Sequence, residues 1–359
     1  LFLSAKNVTK YGFQFNELQF IDAEKDKKLR KGRVKRSNIV LTTRGSVGHF
    51  AYYDASVPYD VMRINSGMVI LDADESDLEP NFLYALCRSF IVQKLIEAAS
   101  FGSAQPQLTV GIVKGLKLPI PTLVEQKKIA QILSTWDKAI SVTEKLLTNS
   151  QLQKKALMQQ LLTGKKRLLN ENGGRFIGEW CTCTLSEVAH IIMGSSPKSE
   201  AYNDNGLGLP LIQGNADIKC RVSCPRVYTS DITKECSPGD ILLSVRAPVG
   251  TVALSQHKAC IGRGISAIKS KRKMSQSFLY QWFLWFEPKW CYLSQGSTFE
   301  SINSDDIKTL KLSVPNFEEQ QKIATVLSAA DDEIATLEKK LACLKEEKKA
   351  LMQQLVTGK

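Results

Sequence analysis

"EQKKIAQIL" (Glu125–Leu133) returns as "EQQKIATVL" (Glu319–Leu327) 194 residues later, and this repetition divides the whole chain. Working outward, residues 118–165 align without a gap onto residues 312–359, with 25 of 48 positions identical and a shared ending, "ALMQQLLTGK" against "ALMQQLVTGK". Fainter echoes lie upstream: "LTTRGSVG" (Leu41–Gly48) against "LLSVRAPVG" (Leu242–Gly250), "FLYAL" against "FLYQW", and "SFGSAQPQL" (Ser100–Leu108) against "SQGSTFESI" (Ser294–Ile302). The chain is a variable globular part followed by a kept segment, written twice.

The kept segments read as long helices. Ile323, Leu327, Ala330, Ile334, Leu337, Leu341, Leu344, Lys348, Leu351 and Leu355 follow one another at alternating steps of four and three, a heptad seam. The first copy repeats the frame through Ile129, Leu133, Trp136, Ile140, Thr143, Leu147, Ser150, Lys154, Leu157 and Leu161. Lys154 and Lys348 fall on the seam and read as register devices, their stems packing while the ammonium reaches the edge. "TLVE" (Thr122–Glu125) and "NFEE" (Asn316–Glu319) have the capping-box spacing, and Gly164 and Gly358 supply left-handed stops. Each helix would run about 40 residues, or roughly 60 Å. Alone it would leave a leucine seam in water, so the two copies are expected to pack on each other; the alternative is that each covers a separate partner.

Between the kept segments, short β-rich runs ("SNIVLTT", "GDILLSV", "GTVALS") alternate with Gly, Pro and Asn, and helices are expected near residues 79–100 and 275–286. That pattern predicts α+β domains with a twisted sheet. "TRGSVG" and "VRAPVG" sit between strand runs; their glycines suit tight connections, whereas Arg44 and Arg246 are placed to meet phosphate or guanine. Basic clusters occur once per globular part, "KDKKLRKGRVKR" (Lys25–Arg36) and "KSKRK" (Lys269–Lys273). Such runs are usually solvated loops. Tyr52, Tyr53 and Tyr59 could line a groove, though aromatics in a small sheet more often fill its core.

Net charge is +12, spread as +4 over residues 1–118, +6 over 119–170, +3 over 171–314 and −1 over 315–359. Polyanions are attracted by such a balance, nucleic acid foremost. No apolar run reaches a membrane span and no secretion signal is evident. Nine cysteines, odd in number, fit reduced thiols and a cytoplasmic protein better than disulfides. Zinc through Cys181, Cys183, Cys220 and Cys224 is the lesser alternative, since "CTC" and "CRVSC" are not paired knuckles. There is no phosphate loop, dinucleotide fingerprint or H-E-x-x-H, and no methyltransferase or nuclease motif. With only His49, His190 and His257 available, the chain itself is expected to be non-catalytic, without metal or cofactor.

Globular part, "LPIPTLVEQKKIAQIL", long helix, "LTGK", linker "KRLLNENGGRFIGEW" and then the whole pattern again resembles the specificity subunit of type I restriction-modification systems. The resemblance covers essentially the full chain and implies two target recognition domains separated by an antiparallel coiled coil. The implied division is 1–118 (first recognition domain), 119–165 (central helix), 166–179 (linker), 180–314 (second recognition domain) and 315–359 (C-terminal helix). It further implies a bipartite double-stranded DNA target, two methyltransferase subunits and restriction/translocase subunits, with S-adenosylmethionine, ATP and Mg on those partners. On this resemblance the candidate DNA contacts are Lys35, Arg36, Arg44 and Ser46 in the first domain, and Arg246, Arg263, Lys271, Arg272 and Lys273 in the second. One departure stands out: residues 180–210 have no counterpart before residue 1, since "LFLSAKNV" lines up with "PLIQGNADI", so the first domain is expected to lack about 31 residues. Two rival readings stay open, a coiled-coil adaptor without DNA recognition and a stand-alone nuclease or methyltransferase.

Overall fold

The two heptad seams become the two longest elements of the chain. A computed structural model describes residues 1–100, 107–290 and 301–357. It forms two compact units, Leu1–Lys145 with Glu338–Lys359, and Leu146–Leu337.

The first unit holds β1 (Phe2–Leu3), β2 (Val8–Thr9), β3 (Gly12–Phe13), β4 (Arg33–Val34), β5 (Ile39–Thr42), β6 (Phe50–Tyr52), β7 (Met62–Ile64) and β8 (Met68–Leu71). They pair as a sheet in the order β1-β7-β4, a sheet in the order β6-β5-β8, and the hairpin β2-β3. Helices α1 (Ala23–Lys28), α2 (Pro80–Cys87), α3 (Phe90–Ser100) and α4 (Val110–Lys114) precede the first long helix, α5 (Leu123–Leu161).

In the second unit, β9 (Cys181–Thr184), a helical turn α6 (Leu185–Val188) and β10 (Ala189–Met193) come first. The strands β11 (Tyr202–Asn203), β12 (Leu209–Ile212), β13 (Ile218–Lys219), β14 (Val222–Ser223), β15 (Val227–Thr229), β16 (Glu235–Cys236), β17 (Ile241–Ser244), β18 (Val252–Leu254), β19 (Ala259–Ile261) and β20 (Ile265–Ser270) follow. After α7 (Gln276–Phe286) and α8 (Ser304–Lys308), β21 (Lys311–Val314) leads into the second long helix, α9 (Phe317–Thr357). The sheets run β10-β20-β17-β18-β14-β13, β11-β15-β12-β19-β16 and β21-β9.

The same plan serves both units. β5-β8 and β17-β20 are equivalent antiparallel pairs, and β1-β7 and β12-β19 are equivalent parallel ones. This places Leu3 opposite Ile64 as Ile212 lies opposite Ile261, which agrees with the alignment of "LFLSAKNV" on "PLIQGNADI". Both units are α+β, as the alternation of short strand runs and amphipathic segments requires.

The repeated Glu-Gln pair explains why the long helix attaches where it does. Gln126 accepts from the Glu79 backbone N–H and donates to the carbonyls of Asp77 and Pro121; Gln320 accepts from the Ser275 N–H and donates to those of Lys273 and Pro315. Glu79 and Ser275 are the N-caps of α2 and α7, so one buried amide staples a domain helix to a long helix in each unit. The preceding glutamates differ. Glu125 makes the expected reciprocal box with Thr122. The Glu319 backbone N–H donates to the Asn316 side-chain oxygen as an N-cap bond, but its carboxylate turns away to form a bidentate pair with Arg167 of the linker, so the second box is only half made. Gly164 has the left-handed φ of +71° expected of a helix stop, while Gly358 lies outside the described residues.

Within each unit the long helices run antiparallel. In the first, Lys348 pairs with Asp137 and Lys345 with Glu144; in the second, Lys154 pairs with Asp331, whose other oxygen accepts from Gln281. Lys348–Asp137 and Lys154–Asp331 are the same pair under the 194-residue offset, which gives the seam lysines the register role expected of them. Burial pushes the Lys348 ammonium below the ordinary lysine range despite Asp137. Ile129, Leu133, Leu161, Ile323 and Leu327 are buried; Trp136, Ile140, Leu147, Leu157, Ile334, Leu337, Leu341, Leu344, Leu351 and Leu355 are half-buried along the seam.

Candidate nucleic-acid interface

The two arginine turns are built alike. After β5, the Gly48 N–H closes on the Thr42 carbonyl at 3.0 Å; after β17, the Gly250 N–H closes on that of Ser244 at 2.8 Å. A hydroxyl braces each turn from inside, Thr42 against the Ser46 carbonyl and Ser244 within reach of the Arg246 and Pro248 carbonyls. Gly48 and Gly250 have φ of +85° and +87°, and a Cβ on Gly250 would lie 2.7 Å from Trp290. These glycines are structural.

What remains outside is the arginine. Arg44, Ser46 and Arg246 are exposed, and among the described residues neither guanidinium has a carboxylate at ion-pair distance. Two further segments meet each turn. Thr43 N–H donates to the Gly67 carbonyl and Leu108 N–H to that of Thr43; likewise Val245 N–H donates to Gly264 and Ile302 N–H to Val245. With its amide oriented to suit, Gln107 accepts from Arg44 Nε and Nη2 at 2.6 and 2.7 Å.

Arg263 belongs to the Arg246 end of its sheet. It stands between Gly262 and Gly264, where the chain runs tightly past Gln213: a Cβ on Gly264 would fall 2.3 Å from the Gln213 carbonyl oxygen. The result is a surface with exposed Gln213, Arg246 and Arg263 at one end of the strands. The other basic residues are elsewhere. Lys271, Arg272 and Lys273 follow the far end of β20, where Lys271 donates to the Ser186 carbonyl and Lys273 accepts from Gln320. Lys35 and Arg36 precede β5, at the end opposite Arg44. Lys35 lies 3.9 Å from Asp72, and Arg36 lies over the Tyr53 ring while donating to Asp54, Val57 and Asp60. The structure therefore separates the candidates into two ends of each sheet and ties Arg36 and Lys271 into the domains themselves.

Sequence reading missed Gln107 and Gln213. Gln107 lies inside the "SFGSAQPQL" echo, the signal that could have found it; Gln213 carries none, because its place depends on glycines fifty residues away. The tyrosines take the core reading: Tyr53 is buried, Tyr52 stacks on Tyr84, and Tyr59 packs edge-on against Phe15. Among the described residues no three His, Cys, Asp or Glu side chains gather as for a metal, and no helix is long and apolar enough to cross a membrane.

Comparison with known proteins adds a family. Residues 8–152 and 177–346 match the type I restriction modification DNA specificity domain. A Methanocaldococcus jannaschii protein named as the MjaX type I restriction enzyme specificity subunit is 32% identical over 354 residues, 96% of this chain and 83% of that one. The MjaVIII specificity subunit of the same organism is 25% identical over 82% of this chain and 74% of its own. Among solved structures, the HsdS subunit from Thermoanaerobacter tengcongensis is 26% identical with a TM-score of 0.51, covering 90% of this chain and 82% of that one. A type I restriction-modification S subunit from M. genitalium, at 18% identity and TM-score 0.63 over 99% and 91%, shares the fold.

Proposed function

Because this chain belongs to the type I restriction modification DNA specificity family, we propose that its two Arg-bearing turns are the DNA-reading ends of its two recognition domains. The chain is a non-catalytic specificity subunit, and DNA recognition is favoured over a coiled-coil adaptor. One observation carries the assignment of the surface: the same braced turn occurs in both units with its arginine outside and no carboxylate partner among the described residues. An unneutralised guanidinium on a rigid turn suits a phosphate or the O6/N7 edge of guanine.

In this reading each domain contacts one half of a bipartite duplex target through Arg44 and Ser46 or through Arg246 and Arg263. Lys35, Arg36, Lys271, Arg272 and Lys273 sit at the other sheet ends and are secondary candidates. The seam residues hold the helices that two methyltransferase subunits use, and translocase/nuclease subunits complete the restriction complex. S-adenosylmethionine, ATP and Mg are assigned to those partners, with none on this chain, and the whole assembly to the cytoplasm. Mapping methylated adenines in cells that carry this chain with its methyltransferase tests the reading. A split target altered in one half by exchange of residues 180–311 is expected; a hybrid that changes both halves together refutes modular reading.

A further inference from the structure

A carboxamide stands behind one of the two turn arginines and not behind the other. Gln107 is set beside Arg44 by its neighbours along the chain. The Leu108 N–H donates to the Thr43 carbonyl at 3.0 Å, the Leu108 side chain is buried in the core, and the Thr109 hydroxyl caps α4 by accepting from the Ile112 N–H. Arg44 is held from another side, its own N–H donating to the Gly67 carbonyl at 3.3 Å. Both side chains are exposed, yet they meet: in the orientation its donors require, the Gln107 carboxamide oxygen accepts from Arg44 Nε at 2.6 Å and from Nη2 at 2.7 Å.

That contact uses one edge of the guanidinium. Of its five N–H donors Gln107 takes two, and the parallel Nη1 and Nη2 pair at the far end stays open. A carboxamide is uncharged, so it fixes the plane of the arginine and leaves the positive charge in force; a carboxylate there would neutralise it. A fork held in one plane matches the two acceptors on the guanine major-groove edge, O6 and N7. A phosphate carries no sequence information, so fixing the plane of its partner would decide nothing. The second unit lacks this arrangement. Val245 and Ile302 take the places of Thr43 and Leu108, which puts Ser301 in that of Gln107. Ser301 meets Arg246 through the backbone as an isolated bridge, its hydroxyl is too short to offer the same oxygen, and among the described residues no side chain bonds to the Arg246 guanidinium.

We propose that Gln107 is a positioning residue for base reading, one that aims the free Arg44 fork at the O6/N7 edge of a guanine in the half-site of the first domain. This role rests on the reading of the turns as DNA-facing, and adds which base the first turn meets and what aims it.

The test uses the methyltransferase-bound complex and its mapped target duplex, in the half-site that exchange of residues 180–311 leaves intact. Each guanine there is replaced in turn by 7-deazaguanine, which lacks the N7 acceptor, and binding is read by fluorescence anisotropy. With the unsubstituted chain, one replacement is expected to weaken binding by about fivefold or more. Arg44→Ala should weaken the natural duplex and erase that difference. Gln107→Met keeps the length but not the oxygen and should shrink the difference to less than about twofold. Gln107→Glu keeps the oxygen, so it should retain the difference while weakening target and scrambled duplexes alike. Position 107 is exposed, and both substitutions should leave the unfolding midpoint in place. A half-site without a G·C pair, or one where no replacement matters although Arg44→Ala does, overturns the guanine contact. A difference undiminished in Gln107→Met, or lost as fully in Gln107→Glu, overturns the positioning role alone. If Arg44→Ala binds as the unsubstituted chain does, the turn does not read DNA, and the proposed function of this surface falls with the role of Gln107.

Discussion

Removing one positive charge from either end of the second unit's main sheet separates base reading from general attraction. Arg246→Ala takes a charge from the turn that meets Gly264; Arg272→Ala takes one from beyond the far end of β20. The six residues of β20 put these ends roughly 20 Å apart at about 3.3 Å per residue. That is twice the screening length of about 10 Å at 0.1 M salt, so DNA held at one end hardly senses the other. If Arg246 meets a guanine edge, its loss should weaken binding by about 1–3 kcal/mol, or roughly 5- to 150-fold. Arg272→Ala should change it by less than about 0.5 kcal/mol, as for an ordinary surface substitution. The assay is fluorescence anisotropy of the methyltransferase-bound complex on target and scrambled duplexes at several salt concentrations. A phosphate contact would instead weaken both duplexes and lower the log–log salt slope by about 0.9. Equal losses from the two variants, or none from Arg246→Ala, would refute a DNA-reading end at this turn.

Three further outcomes follow from other parts of the molecule. Arg167→Met strands the fully buried Glu319 carboxylate and should cost about 3 kcal/mol or more in chemical unfolding; Glu319→Gln in the same chain should restore part of it, and a loss below about 1 kcal/mol would show that the pair holds little. Since burial lowers the Lys348 proton affinity in the folded chain, the unfolded chain binds more protons between that lowered value and about 10.4. Wild type should therefore gain stability relative to Lys348→Met as pH is raised through that interval toward about 10.4 in urea titrations; a difference that stays constant up to that pH would refute the burial effect. Inserting one heptad after both Leu147 and Leu341 adds roughly 10 Å to the paired helices and should widen the unspecified spacer by about three base pairs, read as the methylated spacing. Unaltered spacing in a well-folded variant would leave the helices a docking role alone.

The duplication, the helical seams and the α+β character were open to reading because each is a local pattern. Period 3.5 over nine seam steps, a capping box and strand-length apolar runs act over a few residues. Arg44 and Arg246 could be singled out for the same reason, as a turn is a short-range object. Which basic residues share an end was not open to reading: Lys35 and Arg44 lie nine positions apart yet at opposite ends of β5, while Arg246 and Arg263 are brought together by strand pairing.

By itself, the sequence determined the repeat, the heptad seam of each helix and the kinds of residue on offer, since covalent order and side-chain periodicity suffice for these. Only tertiary structure decided that Glu319 would leave its cap for Arg167, that each seam lysine would find an aspartate, and that Gln213 would stand beside Arg263. Those outcomes depend on contacts between segments distant along the chain, where hydrogen-bond geometry and excluded volume choose among partners that composition leaves equivalent.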